Sequence, residues 1–410
     1  MIAPLRIAQV APPLERVPPA AYGGTERVVF ELVRELVRRG HDVTTFASGD
    51  SEVPGVLEPT VARALRPDGY GDDPSGYFLS TMLKVEGRQA DFDLIHSHLE
   101  WYSAALRRSI SGPFVATFHG RLDHPWSRDL FADRPDGFVA ISKSQASVHP
   151  DVPWTIVYNG LTLDDAPFER RRSDELLFVG RVAPEKGIVE AIEIAQKAGR
   201  RLTIAAKLGP TPPEQEFNAE VFEPALKRAG SSVEFLGELS GPERDGLFAH
   251  CHAVLMPGSW PEPFGLVAIE ALACGAPVLA RNVGALGEII RDGVDGFFGD
   301  DAAELAFLVD RVDELDRAAI RTSVIDRFSA RRMADGYEAL YARMLGMEDG
   351  AASPSVSESE PGSGSSAVGA GDVPASEPED RRDSERGAAS TDSRERRDLD
   401  LRRRGEASRR

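Results

Sequence analysis

Residues 5–48 constrain the fold more tightly than any other part of the chain. Leu5 to Ala11 is a short apolar run, and a loop rich in proline and glycine follows, ending at Tyr22-Gly23-Gly24-Thr25-Glu26. Val28, Val29, Leu32, Val33, Leu36 and Val37 then recur at helical spacing on one stripe, and Gly40 closes the segment. Asp42 to Ser48 reads as a second strand. Strand, glycine-bearing loop, amphipathic helix and strand together define a doubly wound α/β unit. Such sheets take ligands at the carboxyl ends of their strands. Gly23 and Gly24 therefore stand where a backbone can come close to a ligand. The dinucleotide fingerprint G-x-G-x-x-G is absent from this loop, which argues against a dehydrogenase.

The alternation continues. Residues 93–98, 113–119 and 137–141 read as strands, with a helix expected over 99–108; residues 49–90 are harder to parse, with a turn-rich insert at 68–76 and a helix expected over 78–89. The run V-A-T-F-H-G places His119 at a strand's carboxyl end, where ligands go. Asn159-Gly160 is a strong turn signal and a flexible point between two halves. A second alternation begins with a strand at 175–179, a loop at 180–187 and a helix at 188–198. Strands at 201–206, 233–236, 253–256 and 276–280 follow, with helices between them, and residues 302–345 are helical by pattern. Arg181 offers a planar fork of donors and Lys186 a point charge, the two common ways to hold a phosphate. Both fall in one predicted strand-to-helix loop. That loop is not a Walker A motif, because no glycine precedes Lys186 and no Ser or Thr follows it.

Pro257 to Gly275 carries two carboxylates eight residues apart, Glu262 and Glu270. Pro261, Pro263 and Gly265 hold Glu262 on a turn, and a helix is expected from Phe264 through Leu266 and on to Gly275. Glu262 is thus predicted at or just before a helix N-terminus, which attracts anions, with Glu270 about two turns along. This pairing suits a ligand that is both anionic and rich in hydroxyls, such as a nucleotide sugar. Two short stretches resemble metal motifs. Asp91 and Asp93 form a D-x-D match but lead straight into a strand, and His96 and His98 lack a third ligand nearby, so no metal site is expected.

The segment E-P-F-G-x-x-x-x-E followed by A-x-A-x-G-x-P-V, with G-R-x-x-x-x-K-G upstream, resembles the donor site of the family 4 retaining glycosyltransferases. The resemblance runs over roughly residues 5–345 in family order. It implies an α/β GT-B fold of two Rossmann-like, doubly wound domains facing a cleft. The implied boundaries are 1–160 for the acceptor-side domain, 161–330 for the donor-side domain, and 331–349 for a helix crossing back. It implies transfer of a sugar from a UDP- or GDP-type nucleotide sugar to an acceptor hydroxyl, with retention of configuration and without a metal or other cofactor. Arg181 and Lys186 match the diphosphate site, and Glu262 and His119 the sugar site. Glu270 matches the ribose site, and Gly23, Gly24, Phe264, Gly265 and Leu266 line the donor. A GT-B epimerase and a non-catalytic nucleotide-sugar-binding module are the alternatives. The chain departs from the family at Gly284-Ala285, where paired glycines are usual, and at Leu161-Thr162 after Asn159-Gly160.

Net charge is −18, which argues against a nucleic-acid partner or a broadly basic membrane-docking surface; at most a peripheral membrane contact is expected. Cys251 and Cys274 form no disulfide or zinc pattern and read as buried thiols in a reducing compartment. No apolar run nears the ~18 residues of a membrane span, and no signal peptide is recognised, so a cytoplasmic protein is expected. Residues 350–410 are Ser, Gly, Pro and Ala, then mixed charges, with few large apolar side chains. Such a segment buries too little surface to offset its ordering entropy and is expected to be disordered.

Overall fold

Two stretches of strand–helix alternation form two separate parallel sheets. The first contains β1 (Arg6–Val10), β2 (Asp42–Ser48), β3 (Val56–Val61), β4 (Leu94–Ser97), β5 (Phe114–Phe118), β6 (Phe138–Ala140) and β7 (Thr155–Ile156). Their spatial order is β3-β2-β1-β4-β5-β6-β7, and every pairing is parallel. The second contains β8 (Leu176–Val182), β9 (Leu202–Leu208), β10 (Val233–Gly237), β11 (Ala253–Met256), β12 (Val278–Ala280) and β13 (Gly296–Phe298). Its order is β10-β9-β8-β11-β12-β13, again parallel throughout. These relationships come from a computed structural model that describes residues 2–20, 23–68, 73–132, 136–209 and 211–347. Tyr22, residues 69–72 and the expected disordered tail lie outside the described residues.

Each sheet reverses direction once, between β1 and β4 and between β8 and β11. These switch points open crevices at the strands' carboxyl ends, as doubly wound sheets do. The central strands are buried on both faces, which is why their sequences read as apolar runs rather than alternations. The helix Gly24–Arg38 buries Val28, Val29, Leu32, Val33 and Leu36, the stripe its period predicts. Gly40 follows in a left-handed conformation (φ 94°) and turns the chain into β2.

Several elements differ from what the sequence predicts. β8 runs to Val182, so Arg181 lies on the end of the strand and only Lys186 lies on the following turn, Pro184–Lys186. The helix expected from Phe264 begins at Leu266 instead, because Gly265 takes a left-handed conformation (φ 108°) at its N-cap. The helix expected over 78–89 is Ser75–Gly87. β3 was not legible in the sequence: it is a half-exposed edge strand containing Pro59, without the burial that produces a clear pattern. Residues 302–345 divide into separate helices where Asp301, Asp316 and Ser329 cap new N-termini. Among the described residues no helix is long and apolar enough to cross a membrane.

The chain crosses between the halves twice. The first crossing passes Asn159-Gly160-Leu161, and the second lies at Phe328-Ser329-Ala330 before the helix Ala330–Met344. That helix returns to the first half, where Tyr337 and Tyr341 are fully buried and Tyr337 hydrogen-bonds Thr117 of β5 at 2.9 Å. The two crossings are bonded to each other: Leu161 N–H donates to the Phe328 carbonyl (3.1 Å) and Ala330 N–H to the Leu161 carbonyl (2.8 Å). Asn159-Gly160 is therefore not the free flexible point its sequence suggested. A Cβ on Gly160 would lie 2.3 Å from the Ser329 carbonyl oxygen. Gly160→Ala is expected to lower stability by about 1–3 kcal/mol, the usual range for overpacking. An unchanged denaturant midpoint would contradict this packing.

Candidate functional site

The two switch points face one another across a cavity of about 450 Å3. Gly24, Glu26, Glu100 and His119 line it from the first half, and Arg181, Lys186, Glu262 and Gly265 from the second. A smaller cavity of about 140 Å3 shares Gly23, Gly24, Gly180 and Leu266 with it and reaches Arg27, Lys207, Glu238 and Glu270.

The second half supplies the positive charge. Arg181 leaves the end of β8 and pairs with Glu185 (2.8 Å) and with Glu214 (3.1 Å). Lys186 makes an ion pair with Glu262, tying the turn after β8 to the loop after β11. These two loops meet through glycines: a Cβ on Gly187 (φ 71°) would lie 2.7 Å from the Gly258 nitrogen. Gly284 packs equally tightly on the Glu262 backbone, with its φ of 60° open chiefly to glycine. Ala285, where the family has a second glycine, has right-handed geometry and donates its N–H to the Glu262 carbonyl at 2.9 Å. Its methyl is fully buried, so this departure leaves the Glu262 loop intact. Gly265 caps the helix Leu266–Ala273 without a side-chain hydrogen bond, leaving first-turn N–H groups at the cavity.

The remaining predicted residues fall into two groups. Gly23 and Gly24 begin the helix Gly24–Arg38, and a Cβ on Gly24 would approach Leu266 to 3.3 Å across the halves. Phe264 borders the cavity, but its ring is buried and packs edge-on against Phe328 (5.7 Å) and near Tyr158 (6.3 Å). Glu270 lies in the smaller cavity, where it pairs with Arg27 of the first half and Arg244 of the second, the latter at 2.7 Å. Both arginine partners were missed, since nothing in their spacing relates them to Glu270.

His119 follows β5 on the first-half wall. Its N–H and that of Gly120 donate to the Glu100 carboxyl, at 2.9 and 3.3 Å. Burial lowers the imidazole to about 3, so the ring is neutral in the working pH range. Glu100 itself was missed, although it follows β4 at the switch point, the same rule that located His119. Its φ is positive (51°), rare for a residue with a side chain, and its carboxyl lies beneath the His119 loop. Burial pushes both Glu100 and Glu26 up to about 7.

The candidate metal motifs resolve into other contacts. Asp93 forms a two-point pair with Arg6 and Asp91 pairs with Arg88. His96 and His98 are buried beneath His119. Among the described residues no cluster of three or more His, Cys, Asp or Glu has metal-binding geometry. Cys251 and Cys274 are buried free thiols.

Comparisons with known proteins bear on the family and the fold. The model for Glycosyltransferase Family 4 matches residues 22–165, and that for Glycosyl transferases group 1 matches residues 163–318. Glycogen synthase of Mycobacterium tuberculosis is 28% identical over 376 residues, 77% of this chain and 86% of that protein. D-inositol 3-phosphate glycosyltransferase of Mycobacterium avium is 30% identical over 348 residues, 72% of this chain and 81% of that protein. The crystal structure of AviGT4, a glycosyltransferase involved in avilamycin A biosynthesis, superposes with a TM-score of 0.64 at 25% identity. It covers 84% of this chain and 98% of its own. The chain belongs to the group 1, family 4 glycosyltransferases and has their GT-B fold.

The buried acids make stability depend on pH. Glu26 has a folded value of about 7 against an ordinary 4.5, caused first by burial. A raised carboxyl favours folding below its ordinary value, and that contribution is lost as pH rises toward 7. Glu26→Gln should therefore shrink the fall in melting temperature between pH 5 and pH 8. An undiminished fall in that variant would contradict the burial of an ionisable Glu26.

Proposed function

We propose that the protein transfers a sugar from a nucleoside diphosphate sugar to an acceptor hydroxyl, with retention of configuration and without a metal ion. The carrying observation is that Arg181 and Lys186 converge at one switch point, opposite His119 and Glu100 at the other. As the glycosidic bond breaks, the leaving diphosphate gains negative charge. Arg181, Lys186 and the first-turn N–H groups after Gly265 stabilise that charge where it develops. These cations take the role a divalent ion plays elsewhere, so the reading requires no metal.

Glu262 accepts hydrogen bonds from hydroxyls of the donor sugar, and Glu270 from the ribose. His119 meets the sugar from the first half. The acceptor enters from the first-half side, between His119, Glu100, Glu26 and Arg66. In this reading the acceptor hydroxyl attacks on the face from which the diphosphate leaves, and the departing phosphate takes its proton. Configuration at the anomeric carbon is then kept. Family membership and the naming of relatives as glycogen synthase and as an inositol phosphate glycosyltransferase support transfer to a hydroxyl.

A screen of UDP-, GDP- and ADP-sugars, with and without EDTA, identifies the donor and tests the need for metal. With that donor, Arg181→Ala should cost about 2–4 kcal/mol in transition-state stabilisation, measured as kcat/KM. Wild-type turnover in the variant, or complete loss of wild-type turnover in EDTA, would contradict the proposal.

A further inference from the structure

Behind His119 lies a chain of buried polar side chains that no step above uses. His119 Nε2 is 2.9 Å from His98 Nδ1, and His98 Nε2 is 2.9 Å from Gln9 Oε1. Gln9 Nε2 donates to the Tyr341 hydroxyl at 3.1 Å, and that hydroxyl lies 2.7 Å from His96 Nδ1. His96 Nε2 reaches Thr117 Oγ1 at 2.8 Å, and Thr117 reaches the Tyr337 hydroxyl at 2.9 Å. Gln9, His96, His98, Thr117, Tyr337 and Tyr341 are all at least nine-tenths buried. The chain thus runs from the return helix, through β1, β4 and β5, to the cavity wall.

Proton bookkeeping gives this chain a direction. Gln9 Oε1 can only accept, so His98 Nε2 carries a proton and donates to it. Burial holds His98 well below the ordinary histidine range, so it is neutral and its Nδ1 is an acceptor. His119 must then donate from Nε2. The His119 ring is neutral too, which leaves Nδ1 as a bare lone pair. No hydrogen bond to Nδ1 is found among the described residues, and His119 borders the cavity. At the other end Gln9 Nε2 donates to the Tyr341 hydroxyl and lies 3.3 Å from His96 Nδ1, so that hydroxyl is left to donate to His96 Nδ1. Turning the amide over would reverse every bond and make His119 Nδ1 a donor.

We infer that His98 and Gln9, anchored by Tyr341, are positioning residues that fix the His119 tautomer, so that Nδ1 accepts a hydrogen bond from a hydroxyl of the donor sugar. The sugar contact rests on the proposed transfer reaction, whereas the tautomer does not. An acceptor suits a hydroxyl that has its oxygen lone pairs turned toward other donors. It also suits a ring that remains neutral, since a protonated ring has no lone pair to offer. Among the described residues, the ionisable groups around this wall include Glu100, beneath the His119 loop, with Glu26 and Arg66 further along the cavity, and His96, Tyr337 and Tyr341 behind it.

The test is made on the full chain in two arms. Histidine 15N NMR of the wild-type protein should show His119 protonated at Nε2 and bare at Nδ1. The opposite tautomer would overturn the inference. Tyr341→Phe removes one of the two contacts on Gln9 Nε2, leaving only His96 Nδ1 at 3.3 Å, and should add a second His119 tautomer, while a single unchanged form would contradict the anchoring role. In transfer assays His98→Leu should lower kcat about tenfold, the worth of one hydrogen bond, with nucleoside diphosphate affinity unchanged. His98→Asn keeps an acceptor oxygen near the Nδ1 position and should recover most of the rate. Equal losses in both folded variants, or none in His98→Leu, would overturn the positioning role. A wild-type protein that consumes no nucleotide sugar would instead sink the transfer reading and leave the tautomer to be decided by the spectrum.

Discussion

The structure depends on two chain crossings that are hydrogen-bonded to each other. Leu161 exchanges backbone bonds with Phe328 and Ala330, and Gly160 lies against Ser329 with no room for a side chain. Because both crossings share one point, the halves are joined there by a paired connection instead of two independent tethers. Further contacts continue the junction. Glu288 of the second half accepts from the N–H groups of Lys143 and Ser144 and from the Tyr158 hydroxyl, and Ser142 donates to the Pro263 carbonyl. Tyr158, Phe264 and Phe328 pack as an aromatic cluster beside it. The carboxyl ends of both sheets open onto the same cavity as a consequence.

The chemistry of the cavity is divided between its walls. The second-half wall has Arg181 and Lys186, each held by carboxylates, and a helix start with no side-chain cap. The first-half wall has Glu26 and Glu100, whose burial raises them, and a neutral His119. The first surface suits an anionic group and the second neutral hydroxyls, which is the division the proposed transfer uses. The paired crossings join the two walls at one side of the cavity. Arg121 stacks over Trp260 across the rim, with its guanidinium 4.5 Å from the ring centre.

Most of the fold was legible because buried parallel strands and amphipathic helices leave strong periods. β2 and β11 occupy the residues their apolar runs marked, whereas the edge strand β3 left no such trace. Arg181, Lys186, Glu262 and His119 were legible because they follow strands or sit on glycine-rich turns, and the structure gathers them on one cavity. Glu100 obeys the same positional rule but lacks a motif around it. Gln9, His98 and Tyr341 were out of reach, since their contact joins residues up to 332 positions apart. The Arg27–Glu270 pair, 243 residues apart, was hidden for the same reason.

The central claim is that the second half binds the nucleoside diphosphate while the first half completes the site for the sugar. Calorimetry with UDP and GDP on His119→Ala, run beside a transfer assay with the active donor, tests it most directly. The account predicts nucleotide affinity close to wild type and strongly reduced transfer. Loss of nucleotide binding in a folded variant, or transfer at the wild-type rate, would contradict it.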